Sequence, residues 1–436
     1  MPRLQSFDGG VEIEADVRVA GEPPGASGGN GARIARGAGL SYAALSFGQG
    51  ATVVDHTSRN RILAFDPATG RLEVEAGVRL GQVYDEITRH GWFLPIQPGH
   101  PRITIGGCIA ADVHGKNQAR DGTFESLVQG LTLFHPDHGT LALLRGDEVF
   151  ELTCGGFGLT GEILRATIQT KRLPSARIVT RVDRLDDIRQ LPQRFAALDA
   201  DLLYSWHDFS ATGDRFGRGF VVVGTFEPGQ QAPPSEARSG HARSALSADQ
   251  RGRWLVPCFN RATTRPFNAL FRRASLRRSR GKAVELFDFL FPVHDKEAYF
   301  RLFGRRGFHE QQLIVPNDRW PAFVDGVRDA VRATAAPITL ASGKRFEGRP
   351  RLLRFTGQGL AFALDFPRTS RGAKLAARID SLAVELGAIP NIAKDSRLSR
   401  RVVEATFAEL DVFRQRLEAF DPHARYQSEV RSRLGL

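Results

Sequence analysis

The 436-residue chain has few of the residues that staple or anchor a protein. Its three cysteines, Cys108, Cys154 and Cys258, are an odd number and form no C-x-x-C pair. That excludes a disulfide framework and gives no support to a structural zinc site, so no metal is expected. No apolar run approaches the roughly 18 residues of a transmembrane helix. The amino terminus, MPRLQSFDGGVEIEAD, lacks the apolar core of a signal peptide. The expectation is a cytoplasmic chain in a reducing compartment. Lysine is scarce too, at positions 116, 171, 282, 296, 344, 374 and 394 only, so each lysine stands out.

Arginine is abundant. With 60 basic and 48 acidic residues the net charge is +12, which raises nucleic acid, anionic lipid and phosphorylated ligands as partners. From Arg251 to Arg280 there are nine arginines and no acid, interleaved with Trp254, Phe259, Phe267 and Phe271. Such a stretch suits a surface meeting phosphates and an apolar phase together. It also suits single-stranded nucleic acid, or a solvated loop with no partner.

The length allows two or three domains. Two stretches rich in glycine, proline and serine, GEPPGASGGNG (21–31) and PGQQAPPSEARSG (228–240), read as loops. Up to residue 171, short β runs (ATVVD, RLEVEAG, GLTLF, ILRATIQT) alternate with glycine turns. Leu80, Val83, Tyr84 and Ile87 share one face of a predicted helix over 80–90. Residues 176–389 carry the β runs GFVVVGTF and EQQLIVP and predicted helices at 318–333 and 371–387. A helix is expected over 399–420, with the tail RYQSEVRSRLGL packing back on the body. The class is α+β.

Three glycine-bearing segments carry the chemistry: ARGAGLSYAA (35–44), PGHPRITIGGCIAADVHGKN (98–117) and GGFGLTGEILRATI (155–168). Glycine lets main-chain amides approach a pyrophosphate without a Cβ in the way. None of the three is G-x-G-x-x-G between strand and helix, and GxxxxGK[ST] is absent. A Rossmann site and a P-loop are both disfavoured.

Together these segments resemble the FAD-binding domain of the vanillyl-alcohol-oxidase type, which lays FAD across two α+β subdomains. TIGGCIAADVHGKN, GGFGLTG and NIAKDSR (391–397) resemble, within it, the decaprenylphosphoryl-ribose 2'-oxidase branch. The resemblance implies a main FAD-binding part at 1–175 and a substrate domain at 176–389 built on an antiparallel sheet. It also implies that 390–436 returns to the FAD-binding part. By position it makes Arg36, Gly37, Gly39, Leu40, Ser41 and Tyr42 the first cofactor loop. Thr104, Ile105, Gly106, Gly107, Cys108 and Ala111 become the second. His114, Gly115, Lys116 and Asn117 match a flavin-facing HGKN, and Gly158, Leu159, Thr160, Gly161 and Ile163 match a later FAD-binding turn. Gln312, Lys344 and Lys394 match substrate-facing positions.

The departures also carry meaning. Leu40 occupies the position of the histidine that links FAD covalently in many relatives, and the thioether-forming cysteine has no counterpart. Non-covalent FAD is therefore expected. Mycobacterial members carry cysteine where Ala363 aligns, so no nucleophile is expected there.

The reaction implied is oxidation of the C2 hydroxyl of a polyprenylphosphoryl pentose to a keto sugar. A short-chain reductase partner then completes an epimerisation for cell-envelope biosynthesis. Hydride transfer needs the carbinol carbon about 3–3.5 Å from its acceptor. Lys394 is the candidate cation for stabilising the reduced flavin or binding the hydroxyl. His114 could take the hydroxyl proton or could simply pack, and Tyr42 could bind substrate or flavin or could itself simply pack, with a functional role favoured. The general base is left open. The 251–280 stretch would serve as a flexible lid at the lipid phosphate, peripheral on the inner membrane. A soluble-sugar or aldonolactone oxidase of the same superfamily is the rival reading, although its C-terminal His-Trp-x-Lys element is absent. Nucleic acid is not expected as a partner, since no nucleic-acid motif is present.

Overall fold

A computed structural model describes residues 1–21, 31–228, 256–277, 281–294 and 297–436. Most of the two glycine- and proline-rich stretches, together with Arg251, Arg253, Arg278 and Arg280, lies outside the described residues.

The short β runs of the amino-terminal part form two sheets. Val17–Val19, Arg33–Arg36 and Thr52–Asp55 are parallel, with Thr52–Asp55 in the middle. Five antiparallel strands form the second, in the order Gly139–Leu144, Val128–His135, Glu162–Gln169, Arg71–Glu75 and Ile62–Asp66. The helix expected over 80–90 spans Leu80–Thr88, and it buries Leu80, Val83 and Ile87 in one core with Leu72 and Val74.

Residues 177–390 build an eight-stranded sheet whose neighbours are all antiparallel. Helices Trp320–Thr334 and Ser370–Leu386 cover one face. The first has Pro321 in its opening turn, where a missing N–H costs nothing. Thr369 caps the second by accepting from Gly372 N at 3.1 Å. Period-two alternation then divides the strands. Leu313, Val315, Leu360, Phe362, Leu364 and Phe366 pack beneath the helices against Trp320, Phe323, Val327 and Ile379. Each such large side chain contributes about 1.5–3 kcal/mol by burial. Residues of opposite parity project from the other face: Glu310, Gln312, Lys344, Ala363 and Asp365. Polar residues at these buried positions gain nothing from packing, so they mark the face that serves the site.

Residues 399–420 form two helices, Arg400–Thr406 and Leu410–Phe420. The chain leaves helical geometry at Phe407 (φ −105°, ψ 104°), whose ring is buried with Leu410 and Phe413. The tail does pack back. Arg33 N donates to Arg425 O (2.8 Å) and Gln427 N to Arg33 O (2.9 Å). One hydrophobic cluster joins Ile34, Phe47 and Val53 to Leu398, Phe413, Tyr426 and Val430.

The stretch expected as a flexible lid instead contains a 17-residue helix, Arg261–Arg277. Asn268 anchors it through Asp208 Oδ1 (3.1 Å), while Phe267, Leu270 and Phe271 remain 44, 68 and 43% exposed. Among the described residues no helix is long and apolar enough to cross a membrane.

Candidate active site

The first glycine segment leaves the carboxyl end of parallel strand Arg33–Arg36, the end at which open α/β sheets present ligand loops. From Gly37 to Tyr42 the six main-chain N–H groups have no acceptor among the described residues. Gly39 turns through φ +65°. A Cβ on Gly37 would lie 2.2 Å from Thr104 Oγ1, so this loop lies directly against the second. There Thr104 caps helix Ile105–Ala110, its Oγ1 accepting from Gly107 N at 3.3 Å. In the third segment Gly161 has φ +148° and leaves no room for a Cβ, which would meet Phe134 O at 2.5 Å.

These segments enclose a cavity of about 290 Å³. Arg36, Gly37, Gly39, Leu40, Ser41 and Tyr42 line it from the first loop, and Thr104, Gly106, Gly107 and Ala111 from the second. Gly158, Gly161 and Ile163 come from the third, and Lys394 from the returning carboxyl-terminal segment. A row of unpaired amides, opened by a glycine whose Cβ would collide with the second loop, fits an anionic pyrophosphate, and the cavity continues to Tyr42 and Lys394.

Other expected residues lie elsewhere. Ile105, Cys108 and Leu159 turn into the core, since a helix or turn that shows its amides to a ligand must bury its other face. Burial pushes the Cys108 thiol far above its usual range. Thr160 is fully buried, its hydroxyl 2.9 Å from that of Thr153. Gly115 and Asn117 brace the second loop instead of lining the cavity. Asn117 Nδ2 donates to Pro95 O (3.0 Å), and a Cβ on Gly115 would strike Asn117 Oδ1 at 2.5 Å. Lys116 points into the substrate unit, donating to Phe289 O (2.6 Å) and Leu290 O (3.1 Å) at the end of helix Leu286–Leu290.

His114, Gln312 and Lys344 form a buried cluster beside the cavity wall. Asn391 Nδ2 donates to Gln312 Oε1 (2.7 Å), which turns Gln312 Nε2 toward His114 Nε2 (3.3 Å). His114 Nδ1 then donates to Gly115 O (3.2 Å). Both ring nitrogens are engaged. Burial, and then the charge of Lys344, pushes the imidazole well below its usual pKa. A neutral histidine with no free lone pair is poorly placed to accept a proton. Burial, and secondarily Lys394, lowers Lys344 to about 8.

Tyr42 and Lys394 meet in the cavity wall. The ammonium lies 3.7 Å from the phenol ring centroid, and the ring stacks on Phe7 at 5.0 Å. Burial and then Glu310 push the phenol well above its usual range. Two carboxylates that sequence reasoning missed lie here. Glu310 Oε1 is 3.3 Å from Lys394 Nζ, and Asp365 Oδ2 accepts from the Tyr299 hydroxyl at 3.1 Å. Both share parity with residues already singled out, Glu310 with Gln312 and Asp365 with Ala363. Counting by twos along EQQ and ALD would have found them.

Comparison with known proteins agrees with this geometry. A family model described as an FAD binding domain matches residues 29–143. The decaprenylphosphoryl-β-D-ribose oxidase of Mycolicibacterium smegmatis is 28% identical over 445 aligned residues, covering 99% of this chain and 94% of that protein. An uncharacterized protein of Streptomyces coelicolor is 32% identical over 79% of this chain and 96% of its own length. The mitochondrial L-galactono-1,4-lactone dehydrogenase of Brassica oleracea is 26% identical over 44% of this chain and 31% of its own.

Proposed function

Because the chain belongs to the FAD-linked oxidases of the decaprenylphosphoryl-β-D-ribose oxidase type and is an FAD-dependent oxidoreductase acting on CH–OH groups, we propose that its substrate is a polyprenylphosphoryl pentose. The secondary hydroxyl at C2 is oxidised to a keto sugar, and a short-chain reductase returns it with inverted configuration as a step of cell-envelope biosynthesis. The observation that carries this reading is likeness across the whole chain. It includes the sheet face bearing Gln312 and Lys344, whereas the lactone dehydrogenase aligns over less than half.

The amides of residues 37–42 and the second loop would hold the FAD pyrophosphate, and Tyr42 and Lys394 lie where the substrate-facing end would be. FAD held there would supply the hydride acceptor. Lys394 supplies a fixed cation for the charge this creates and for the substrate oxygen. Gln312 and Lys344 orient the sugar hydroxyls, and His114 holds Gln312 in register. Non-covalent attachment fits the cavity wall, which contains no cysteine among the described residues. Its two histidines are engaged elsewhere, His56 with Glu162 (2.9 Å) and His100 with Glu297 (3.0 Å).

Helix Arg261–Arg277 supports peripheral binding at the cytoplasmic face of the inner membrane. Exposed Phe267, Leu270 and Phe271 on an arginine-rich helix suit the interface of an anionic bilayer. Flotation with anionic vesicles should be lost in Leu270→Asp.

The decisive measurement is anaerobic bleaching of the protein-bound flavin with a short-chain polyprenylphosphoryl pentose, beside aldonolactones and free pentoses. Bleaching by the lipid-linked sugar alone is the expected result. Bleaching only by soluble sugars would overturn the substrate reading, and a protein unable to take up FAD would overturn the assignment itself.

A further inference from the structure

Hydride transfer alone leaves the substrate hydroxyl proton without a destination. His114 is engaged at both nitrogens, and Lys394 is a cation. Glu310 and Asp365 are directly opposed in register on neighbouring antiparallel strands, with both side chains on the same face. Tyr299 satisfies Asp365 Oδ2, whereas Asp365 Oδ1 is buried with no partner among the described residues. A proton between Oδ1 and Glu310 resolves that orphan, because two buried carboxylates this close do not both ionise. Burial and then Glu310 push Asp365 well above the usual carboxylate range, which makes Asp365 the protonated member. Glu310, paired with Lys394, is left as the anion.

We propose that Glu310 is the terminal proton acceptor of the oxidation, reached from the cavity through the Tyr42 hydroxyl, with Asp365 as its positioning residue. Tyr42 lines the cavity, and one ammonium joins it to Glu310: Lys394 Nζ lies 3.7 Å from the phenol ring centroid and 3.3 Å from Glu310 Oε1. In the step, the carbinol C–H bond breaks and its hydride goes to FAD. The substrate O–H proton passes to Tyr42 Oη while Tyr42 gives its own proton to Glu310, and the C–O bond becomes C=O. Two electrons end on the cofactor and one proton on Glu310. Tyr42 is unsuited to store the proton deficit itself, because its buried phenol resists ionisation.

The groups that interact electrostatically with this centre are Asp365, Lys344, Lys394, Tyr42, Tyr299 and Asp8. A carboxyl group accepts a proton only as its anion, so an oxidation routed through one slows toward acid. The proposal rests on the preceding reading only for the identity of the alcohol.

The test follows flavin bleaching against pH with the short-chain polyprenylphosphoryl pentose, in holoenzyme and in Glu310→Gln. The variant should bleach about 10²–10⁴-fold more slowly, lose the acid limb and keep its FAD affinity, while Glu310→Asp should retain the limb. A second readout needs no turnover: infrared spectra of apoprotein at neutral pH should show a protonated carboxyl band that Asp365→Asn removes. Glu310→Gln within tenfold of wild type with its limb intact would overturn the proposal. So would a wild-type profile flat on the acid side, or absence of the carboxyl band. The last two are read on wild-type protein and stand even if Glu310→Gln does not fold. If wild type bleaches only with a soluble sugar, the substrate reading fails and the proton test is run with that sugar.

Discussion

Gly37→Ala tests whether the two glycine loops form one cradle. Gly37 lies outside the left-handed region, so close approach alone demands glycine there. The new Cβ would stand 2.2 Å from Thr104 Oγ1, 3.2 Å from Thr104 Cβ and 3.3 Å from its Cγ2. Thr104 is not free to swing away, because its Oγ1 caps the helix through Gly107 N. Losing that cap costs about 1 kcal/mol, and compressing the remaining contacts adds about 1–3 kcal/mol. The variant should therefore lose about 2–4 kcal/mol of holoprotein stability in denaturant unfolding, with FAD affinity falling in parallel. Thr104→Ala alone should cost about 1 kcal/mol, the cap. In the double variant the 2.2 Å collision is gone and only the 3.2 Å contact with Cβ remains. Its total loss should fall about 1–2 kcal/mol short of the sum of the singles. Additivity within about 0.5 kcal/mol would refute the argument that these loops touch through this pair.

Arg354 is buried and donates to Cys154 O (2.9 Å) and Glu151 Oε2 (2.7 Å). Arg354→Met should destabilise by about 3 kcal/mol because it removes the buried partner of a largely buried carboxylate; a loss below about 1 kcal/mol would show that half-exposed Arg351, 3.0 Å from the same Glu151 oxygen, suffices. Lys344 has a folded pKa of about 8 against an unfolded value near 10.4. The folded apoprotein sheds this proton while the unfolded chain still holds it, so stability from this group rises with pH from about 8 to about 10.4. Lys344→Met should be more stable than wild type below pH 8 and lose that advantage toward pH 10; a difference independent of pH would count against it.

The strands were readable as short runs rich in β-branched and other apolar residues, as in GFVVVGTF and EQQLIVP, which the fold buries on both faces, and helix 80–90 because its apolar residues recur at three and four. That the first glycine loop lines a cavity was readable from glycines that have no other reason to cluster. The failures have equally local causes. Cys108 and Leu159 lie within glycine motifs, but a motif does not say which side of its backbone meets the ligand. The 251–280 stretch looked mobile because its apolar residues are few, yet Thr264 and Asn268 supply a polar anchoring face. Glu310 and Asp365 were missed because each is isolated in sequence, and only pairing across two strands places them together.

The pairing of Arg33 with Tyr426 sets a schedule for the protein's birth. Strand Arg33–Arg36 leaves the ribosome about 390 residues before the segment that completes its core. At about 5–20 residues per second, the wait is roughly 20–80 s. During that time the surface destined for Tyr426 and Val430 is open, and Lys394, the one lysine in the cavity wall among the described residues, has not been made for most of it. The chain cannot assemble its cavity as it emerges. The eight-stranded sheet can form first, and the cofactor finds its full wall only once the segment that carries Lys394 and Tyr426 has emerged.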